Sequence, residues 1–247
     1  MIEILRADIT TLDVEAIVNA ANERLEPGGG VCGAIYRAAG PRLQQFTARI
    51  RHCPVGEAVV TPGFDLPARY IIHAVGPVWT GGNNGEARLL QSAYQSAFDI
   101  AREDRVNSIA FPAISTGIYG YPKEQAARIA MHMMRHHEHS YERIVACAFD
   151  DETRELYERC FELTPPGAKP TEVVLAVVPW REPSSFEIAM MAKLKTMLPQ
   201  ATFEHLERTR NAAVGVEFSN PEIQKIWEAI VEDRIRVLEQ WHKQERE

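Results

Sequence analysis

The chain has 247 residues, 45% of them hydrophobic, which is enough for a sizeable core in one large domain or in an ordinary domain with a small companion. Its 27 basic and 34 acidic side chains leave a formal charge of -7, which weighs against nonspecific attraction to nucleic acid or to an anionic membrane surface. No run of about 18 consecutive apolar residues occurs, and Met1-Ile-Glu-Ile-Leu-Arg does not begin a basic segment followed by a long apolar stretch, so a soluble, cytoplasmic protein without a membrane partner is expected. Cys32, Cys53, Cys147 and Cys160 are scattered, without metal-ligand spacing or the density of a disulfide scaffold, and read as reduced thiols.

Taken in chain order, Ile2 to Leu5 is short, apolar and followed by a charge, as a strand is, and Asp8 just after it has the place of a turn or helix cap. A second strand, Ala16 to Val18, runs into Ile17-Val-Asn-Ala-Ala-Asn22 and then into Gly28-Gly-Gly-Val-Cys-Gly33, which opens an apolar helical run. Amide side chains and open glycine backbone at the end of a buried strand, where a helix begins, make a seat for a phosphorylated ligand. Strands follow at Ala58 to Thr61 and Tyr70 to Val75, then a helix over Glu86 to Ala101 with Leu90, Ala93, Tyr94, Ala97, Phe98 and Ala101 on one face. The apolar run Ser108 to Ile114, with its strand at Ser108 to Phe111, leads into a second glycine loop, Ser115-Thr-Gly-Ile-Tyr-Gly120, and helix formers fill Lys123 to Met134. A strand at Ile144 to Ala148 and a helix at Asp151 to Leu163 close a pattern that predicts a mixed sheet between helical layers.

Two such loops can hold a diphosphate from both sides, and neither matches the dinucleotide Gly-x-Gly-x-x-Gly fingerprint or the Lys-Ser/Thr ending of a P-loop. Asn19 reads either as a strand-end cap or as a ligand contact; Asn22, nearer the glycines, reads as a contact able to donate to and accept from a sugar hydroxyl. Tyr119 is expected exposed at the loop tip, its ring suited to a sugar or base, with plain packing as the alternative. Cys32 at a helix start is a conceivable nucleophile, although a small side chain that lets the loop approach a phosphate is the simpler reading. His132, His136, His137 and His139 crowd one region without a third ligand in register, so no metal is expected.

Thr164-Pro-Pro-Gly-Ala-Lys-Pro170 breaks regular structure and marks a domain boundary. Beyond it the pattern gives a small α/β domain over 171–247: strands at Glu172 to Val178 and Ala212 to Phe218, a helix at Phe186 to Leu198, and a long amphipathic helix from Pro221 to about Gln244. Its apolar stripe is Ile223, Ile226, Trp227, Ile230, Val237, Leu238 and Trp241, interrupted by Arg234; a docking or dimerisation module is the alternative to packing within its own domain, and the oligomeric state stays open.

Ala7-Asp-Ile-Thr10, Ile17 to Asn22, Gly28 to Gly40, His73-Ala-Val-Gly-Pro-Val-Trp79 and Phe111-Pro-Ala-Ile-Ser-Thr-Gly-Ile-Tyr-Gly-Tyr-Pro122 together resemble the macrodomain family over residues 1 to 163. They are most similar to the bacterial branch that includes O-acetyl-ADP-ribose deacetylases and ADP-ribosyl hydrolases. The resemblance implies a three-layer α/β/α fold whose cleft takes ADP-ribose or its protein conjugates, with no separate cofactor. It implies adenine contacts from Asp8, Ile9 and Phe149, and ligand contacts from Asn19 and Asn22. Gly30, Val31 and Cys32 would line the first diphosphate loop, with Ser115, Thr116, Gly117, Ile118 and Tyr119 in the second. Asn22, Gly30 and Tyr119 would carry the hydrolytic step. Cys32 departs from the Asp of the bacterial hydrolase pattern, so two functions are expected to compete: hydrolysis by a positioned water, and reading of ADP-ribose without turnover.

Overall fold

Six strands form one mixed sheet in the order β1-β6-β5-β2-β4-β3: β1 (Ile2–Arg6), β2 (Ala16–Ala20), β3 (Ala58–Pro62), β4 (Tyr70–Ala74), β5 (Ser108–Phe111) and β6 (Arg143–Ala148). All neighbours run parallel except β3, which returns antiparallel along β4. This computed structural model describes residues 1–82, 84–164, 184–200, 202, 203, 206, 218 and 220–244, without the side chains of 234, 235 and 237–244. The chain divides into two compact units, Met1–Val174 and Leu175–Glu247.

In the first unit five helices cover the sheet: α1 (Gly30–Ala39), α2 (Pro41–Ile50), α3 (Glu86–Glu103), α4 (Lys123–His137) and α5 (Asp151–Leu163). Side chains alternate across a strand, so Ile17, Ile71, Ala110 and Val145 share one face and pack with Ile35, Tyr36, Ala39 and Leu43 of α1 and α2. Phe111 points the other way, against Tyr94 and Phe98 of α3, with ring centroids 5.4 and 4.6 Å apart. Helices α4 and α5 pack beside α3 on that face. The result is the expected three-layer α/β/α fold, and β2, buried along Ala16 to Asn19 between two neighbours, has the near-continuous apolar character of an interior parallel strand.

Local chemistry sets several boundaries. Strand β5 ends at Phe111, as expected, because Pro112 has no N–H for the ladder, whereas other bounds depart from the pattern. The sequence pattern singles out no helix over 41–50, yet Gly40, in the left-handed region at φ +78°, turns the chain and Pro41 starts α2 at the position where a missing N–H costs nothing. Two of the α4 histidines, His132 and His137, are buried in packing while His136 is exposed: His137 stacks on Phe98 at 4.2 Å, its Nε2 pairs with Gln95 Oε1 at 3.1 Å, and burial lowers its pKa to about 4. Among the described residues no cluster of three metal-ligating side chains forms.

The second unit contains α6 (Ser185–Met197) and α7 (Pro221–Gln244). Met191 and Leu194 of α6 meet Ile223, Ile226, Trp227 and Ile230 of α7, with Phe203 and Leu206, in a separate apolar core. Ser184 caps α6 by accepting from Glu187 N at 3.1 Å, and its hydroxyl donates to the buried Asp233. The expected strand Glu172 to Val178, residues 212–217 of the strand expected at Ala212 to Phe218, residues 165–170 of the linker and the side chains of Arg234, Val237, Leu238 and Trp241 lie outside the described residues. No described helix is long and apolar enough to cross a membrane.

Candidate functional site

Strands β2 and β5 are parallel neighbours, paired at Ala16↔Ile109 and Ile17↔Ala110, so the loops leaving their C-terminal ends emerge side by side. The first loop is folded by Asn22. Its Oδ1 accepts from Arg24 N and Glu26 N, each at 3.1 Å, while Nδ2 donates to Glu26 O at 2.8 Å. Gly30 then sits at φ +56°, and a Cβ on Gly33 would come within 2.5 Å of Gly28 O, so the chain here accepts only glycine without shifting. Helix α1 makes its first bond from Gly33 N to Gly29 O at 3.3 Å and has no side-chain cap. Among the described residues, the N–H groups of Gly29, Gly30, Val31 and Cys32 have no protein acceptor, which leaves a helix start open to an anion.

The second loop is tightened by Gly120 N to Gly117 O at 2.9 Å and Tyr121 N to Ser115 O at 3.0 Å, with Ser115 at φ +67°. The N–H groups of Ser115, Gly117, Ile118 and Tyr119 donate to no protein atom among the described residues. The two loops touch: a Cβ on Gly29 would lie 3.0 Å from Ile118 Cδ1. At the tip it is Ile118 that is exposed, at 85%, whereas Tyr119 is half-buried, which corrects the expectation that Tyr119 stands free there.

Two neighbouring cavities lie along both loops. The larger, about 700 Å³, is lined by Asp8, Ile9, Thr116 and Phe149 among others. The smaller, about 250 Å³, is lined by Asn22, Cys32, Ser115, Ile118 and Tyr119 among others. Gly30, Val31, Ala113 and Gly117 border both. Asp8 caps the 3₁₀ turn Ile9–Thr11, its Oδ1 accepting from Thr10 N at 2.9 Å and Thr10 Oγ1 at 2.7 Å, while its Oδ2 has no protein partner among the described residues. Phe149 is 90% exposed at the rim. Several charges on this side pair with one another: Lys123 with Asp150 and Glu152, Arg6 with Asp151.

The smaller cavity has no Asp, Glu, His, Lys or Arg side chain in its wall. Its titratable groups are Tyr119, pushed up chiefly by burial, and Cys32, also pushed up by burial despite a hydrogen bond from Asn19 and one from the Gly28 backbone. Cys32 is therefore a thiol: desolvation outweighs the helix dipole that would favour a thiolate.

Asn19 lies in neither cavity. It is fully buried, and its Nδ2 lies 3.0 Å from His73 Nδ1 and 3.7 Å from Cys32 Sγ. With Asn19 donating, His73 Nδ1 is the acceptor and Nε2–H donates to Thr61 Oγ1 at 3.0 Å, whose hydroxyl reaches Pro62 O at 3.2 Å. Burial lowers the His73 pKa to about 3, so the ring is neutral. Asn22 is also more committed than its sequence reading: both lone pairs of Oδ1 are used inside the loop, and one N–H remains for a ligand. His73 and Trp79 were given no role from sequence beyond the resemblance; a histidine inside the apolar strand Tyr70–Ala74 was the available signal.

The Macro domain family matches residues 18–130 of this chain. A macro domain-containing protein of Chlorobaculum tepidum is 51% identical over 162 residues, which is 64% of this chain and 94% of the relative. The chain belongs to the macro domain family. This macrodomain is also 50% identical over 164 residues to a protein of Klebsiella pneumoniae named O-acetyl-ADP-ribose deacetylase, covering 64% of this chain and 94% of that protein. Among solved structures it resembles the Oceanobacillus iheyensis macrodomain with ADP, at 36% identity and a TM-score of 0.63, over 65% of this chain and 90% of that one. It also resembles the Trypanosoma brucei macrodomain in complex with ADP-ribose, at 39% identity and a TM-score of 0.60, over 64% and 68%.

Proposed function

We propose that this macrodomain binds ADP-ribose along the cleft and hydrolyses the bond joining its distal ribose to an acetyl group or to a protein carboxylate. The observation that carries the reading is the pair of neighbouring cavities, which share Gly30, Val31, Ala113 and Gly117 as a common wall and are flanked there by two sets of unpaired backbone N–H groups. Adenosine would fill the larger cavity, with Asp8 Oδ2 accepting from the adenine amino group, the Ile9 backbone beside the ring and Phe149 covering it. The diphosphate would lie between Gly30 to Cys32 and Ser115 to Tyr119, and the distal ribose would take the free N–H of Asn22 beneath Tyr119. Relatives at about half identity named O-acetyl-ADP-ribose deacetylase support the hydrolytic reaction.

No side-chain carboxylate or imidazole lines the smaller cavity. In this reading the attacking water is positioned by the loop backbone, Asn22, Tyr119 and the ligand's own phosphate, so the rate comes from placement and from fixed dipoles. For the acetyl ester, water adds at the acyl carbon, the acyl–oxygen bond breaks and the ribose keeps its hydroxyl; for the protein conjugate, water adds at the ribose carbon and the bond from that carbon to the carboxylate oxygen breaks; in both the acid leaves as its carboxylate and one proton passes to solvent. The substrates would be soluble cytoplasmic conjugates, and 171–247 would be a separate small domain joined through 164–170.

A second reading, binding without turnover, is favoured by one observation: Cys32 is a neutral buried thiol where a hydrolase of the bacterial pattern has a carboxylate. Purified protein incubated with mono-ADP-ribosylated protein and with O-acetyl-ADP-ribose separates the two. Hydrolysis is expected to liberate ADP-ribose well above an Asn22→Ala control. Thermal stabilisation by ADP-ribose, about 2.7 kcal/mol at about 100 times the dissociation constant, without such release would establish the reader. Neither effect would reject both.

A further inference from the structure

Glu86 opens α3 and borders neither cavity, yet it is only 2% exposed and its carboxylate is fully engaged. Oε1 accepts from Thr80 N at 3.1 Å, Thr80 Oγ1 at 2.7 Å and Gly82 N at 3.2 Å, and Oε2 accepts from Asn84 N at 2.7 Å. Burial raises the pKa of this group; the hydrogen bonds outweigh it and hold the carboxyl at about 2, so it is ionised throughout the neutral range. The loop it gathers depends on left-handed backbone at Gly81, Gly82 and Gly85, at φ +109°, +84° and +75°.

The residue just before that loop contacts the loop that walls the smaller cavity. Trp79 N donates to Tyr119 O at 2.8 Å, and its indole packs on Tyr121 with ring centroids 4.7 Å apart. These two contacts fall on either side of Gly120, which sits at φ +66°. A Cβ on Gly82 would lie 2.8 Å from Trp79 Cη2, so the loop that Glu86 holds also backs the indole. An unbroken line of contacts thus leads from a buried carboxylate to the carbonyl of Tyr119.

We infer that Glu86 is a positioning residue for the second glycine loop: by way of Thr80, Gly82 and Trp79 it fixes the Tyr119 carbonyl and with it the Tyr119 ring that stands over the distal sugar. The inference rests on the ADP-ribose reading of the cleft. A residue that only stapled a loop to a helix would affect stability alone, whereas a positioning residue changes how well the sugar end is recognised relative to the nucleotide end.

The test measures ADP and ADP-ribose binding and ADP-ribose release for wild type and Glu86→Gln, at a temperature where circular dichroism shows both folded. ADP engages the nucleotide end; ADP-ribose adds the distal sugar. The variant is expected to lose about tenfold in the ratio of the two dissociation constants and about tenfold to a hundredfold in turnover. A lower Tm with an unchanged ratio and unchanged turnover would overturn the inference while leaving the cleft reading intact. Wild type that binds no ADP-ribose would overturn both. Gly82→Ala keeps the carboxylate but drives a methyl into the Trp79 ring, and it carries the test if Glu86→Gln does not fold: the same loss is expected, and a wild-type ratio would overturn the inference.

Discussion

The two ends of the cleft are built from different materials. The larger cavity is walled by side chains with identifiable chemistry, Asp8, Lys123, Phe149 and Asp150, with Lys123 and Asp150 paired to each other. The smaller is walled mainly by backbone and small residues, and its polarity comes from N–H groups that a helix start and a tight turn leave unpaired. Side-chain recognition tolerates substitution piecemeal, because each contact contributes separately. Recognition by backbone depends on the path of the chain, so one wrong Cβ disturbs every donor in the loop.

That contrast is most severely tested at Gly30. Gly30→Val forces a β-branched residue to φ +56° at the border of both cavities, and ADP-ribose affinity is expected to fall by about a hundredfold or more, about 2.7 kcal/mol, by titration calorimetry. A loss below about tenfold would show that the loop yields, and the backbone account would fail.

Acid is expected to strike the support behind the smaller cavity. His73 has its pKa lowered from 6.5 to about 3 and His137 from 6.5 to about 4, so in both cases the unfolded chain takes up the proton more readily. Stability therefore rises with pH across these windows and is lost as pH falls from 6.5 toward 3 and 4, by about 1.4 kcal/mol per pH unit for each ring fully within its window. Urea midpoints at pH 7 and pH 5 measure the slope, and His73→Gln is expected to flatten its share of it; an unchanged slope would mean that His73 is not buried neutral.

Cys32→Asp sharpens the comparison from the opposite side by adding the carboxylate that the smaller cavity lacks. ADP-ribose release is expected to rise by about tenfold or more, since a positioned base commonly contributes at least that much. An unchanged rate would show that a loop carboxylate is not what limits the reaction. The smallest effect is expected in the larger cavity: Asp8→Ala removes one acceptor and one cap, lowering affinity by about fivefold, about 1 kcal/mol, with turnover at saturation unchanged.

How much of this was legible in the sequence follows the same division. The six strands, the glycine loops after β2 and β5, and the helices at 86–101, 123–134 and 151–163 announce themselves through periodicity and through glycine where the backbone must turn. The resemblance to macrodomains located both loops. It did not reveal that Asn19 is spent on His73 inside the protein, because a polar residue at a strand end reads the same whether it faces ligand or core. Nor did it show that the Asn22 acceptor is consumed by its own loop, or that Ile118 rather than Tyr119 occupies the exposed tip. Alternation along five residues of loop has no fixed face until Trp79 holds the Tyr119 carbonyl, and that contact joins segments far apart in the chain. Glu86 was hidden for a related reason: at the head of an amphipathic helix an acidic residue looks like a solvated first-turn charge, and only the loop folded over it takes it out of water.

The most direct measurement of the central claim is the response of assigned amide resonances to saturating ADP. The N–H groups of Gly30, Val31 and Cys32 and those of Gly117, Ile118 and Tyr119 are expected to shift together, as two facing rows of donors closing on one diphosphate. Shifts confined to the residues around Asp8 and Phe149, with both rows unmoved, would contradict it.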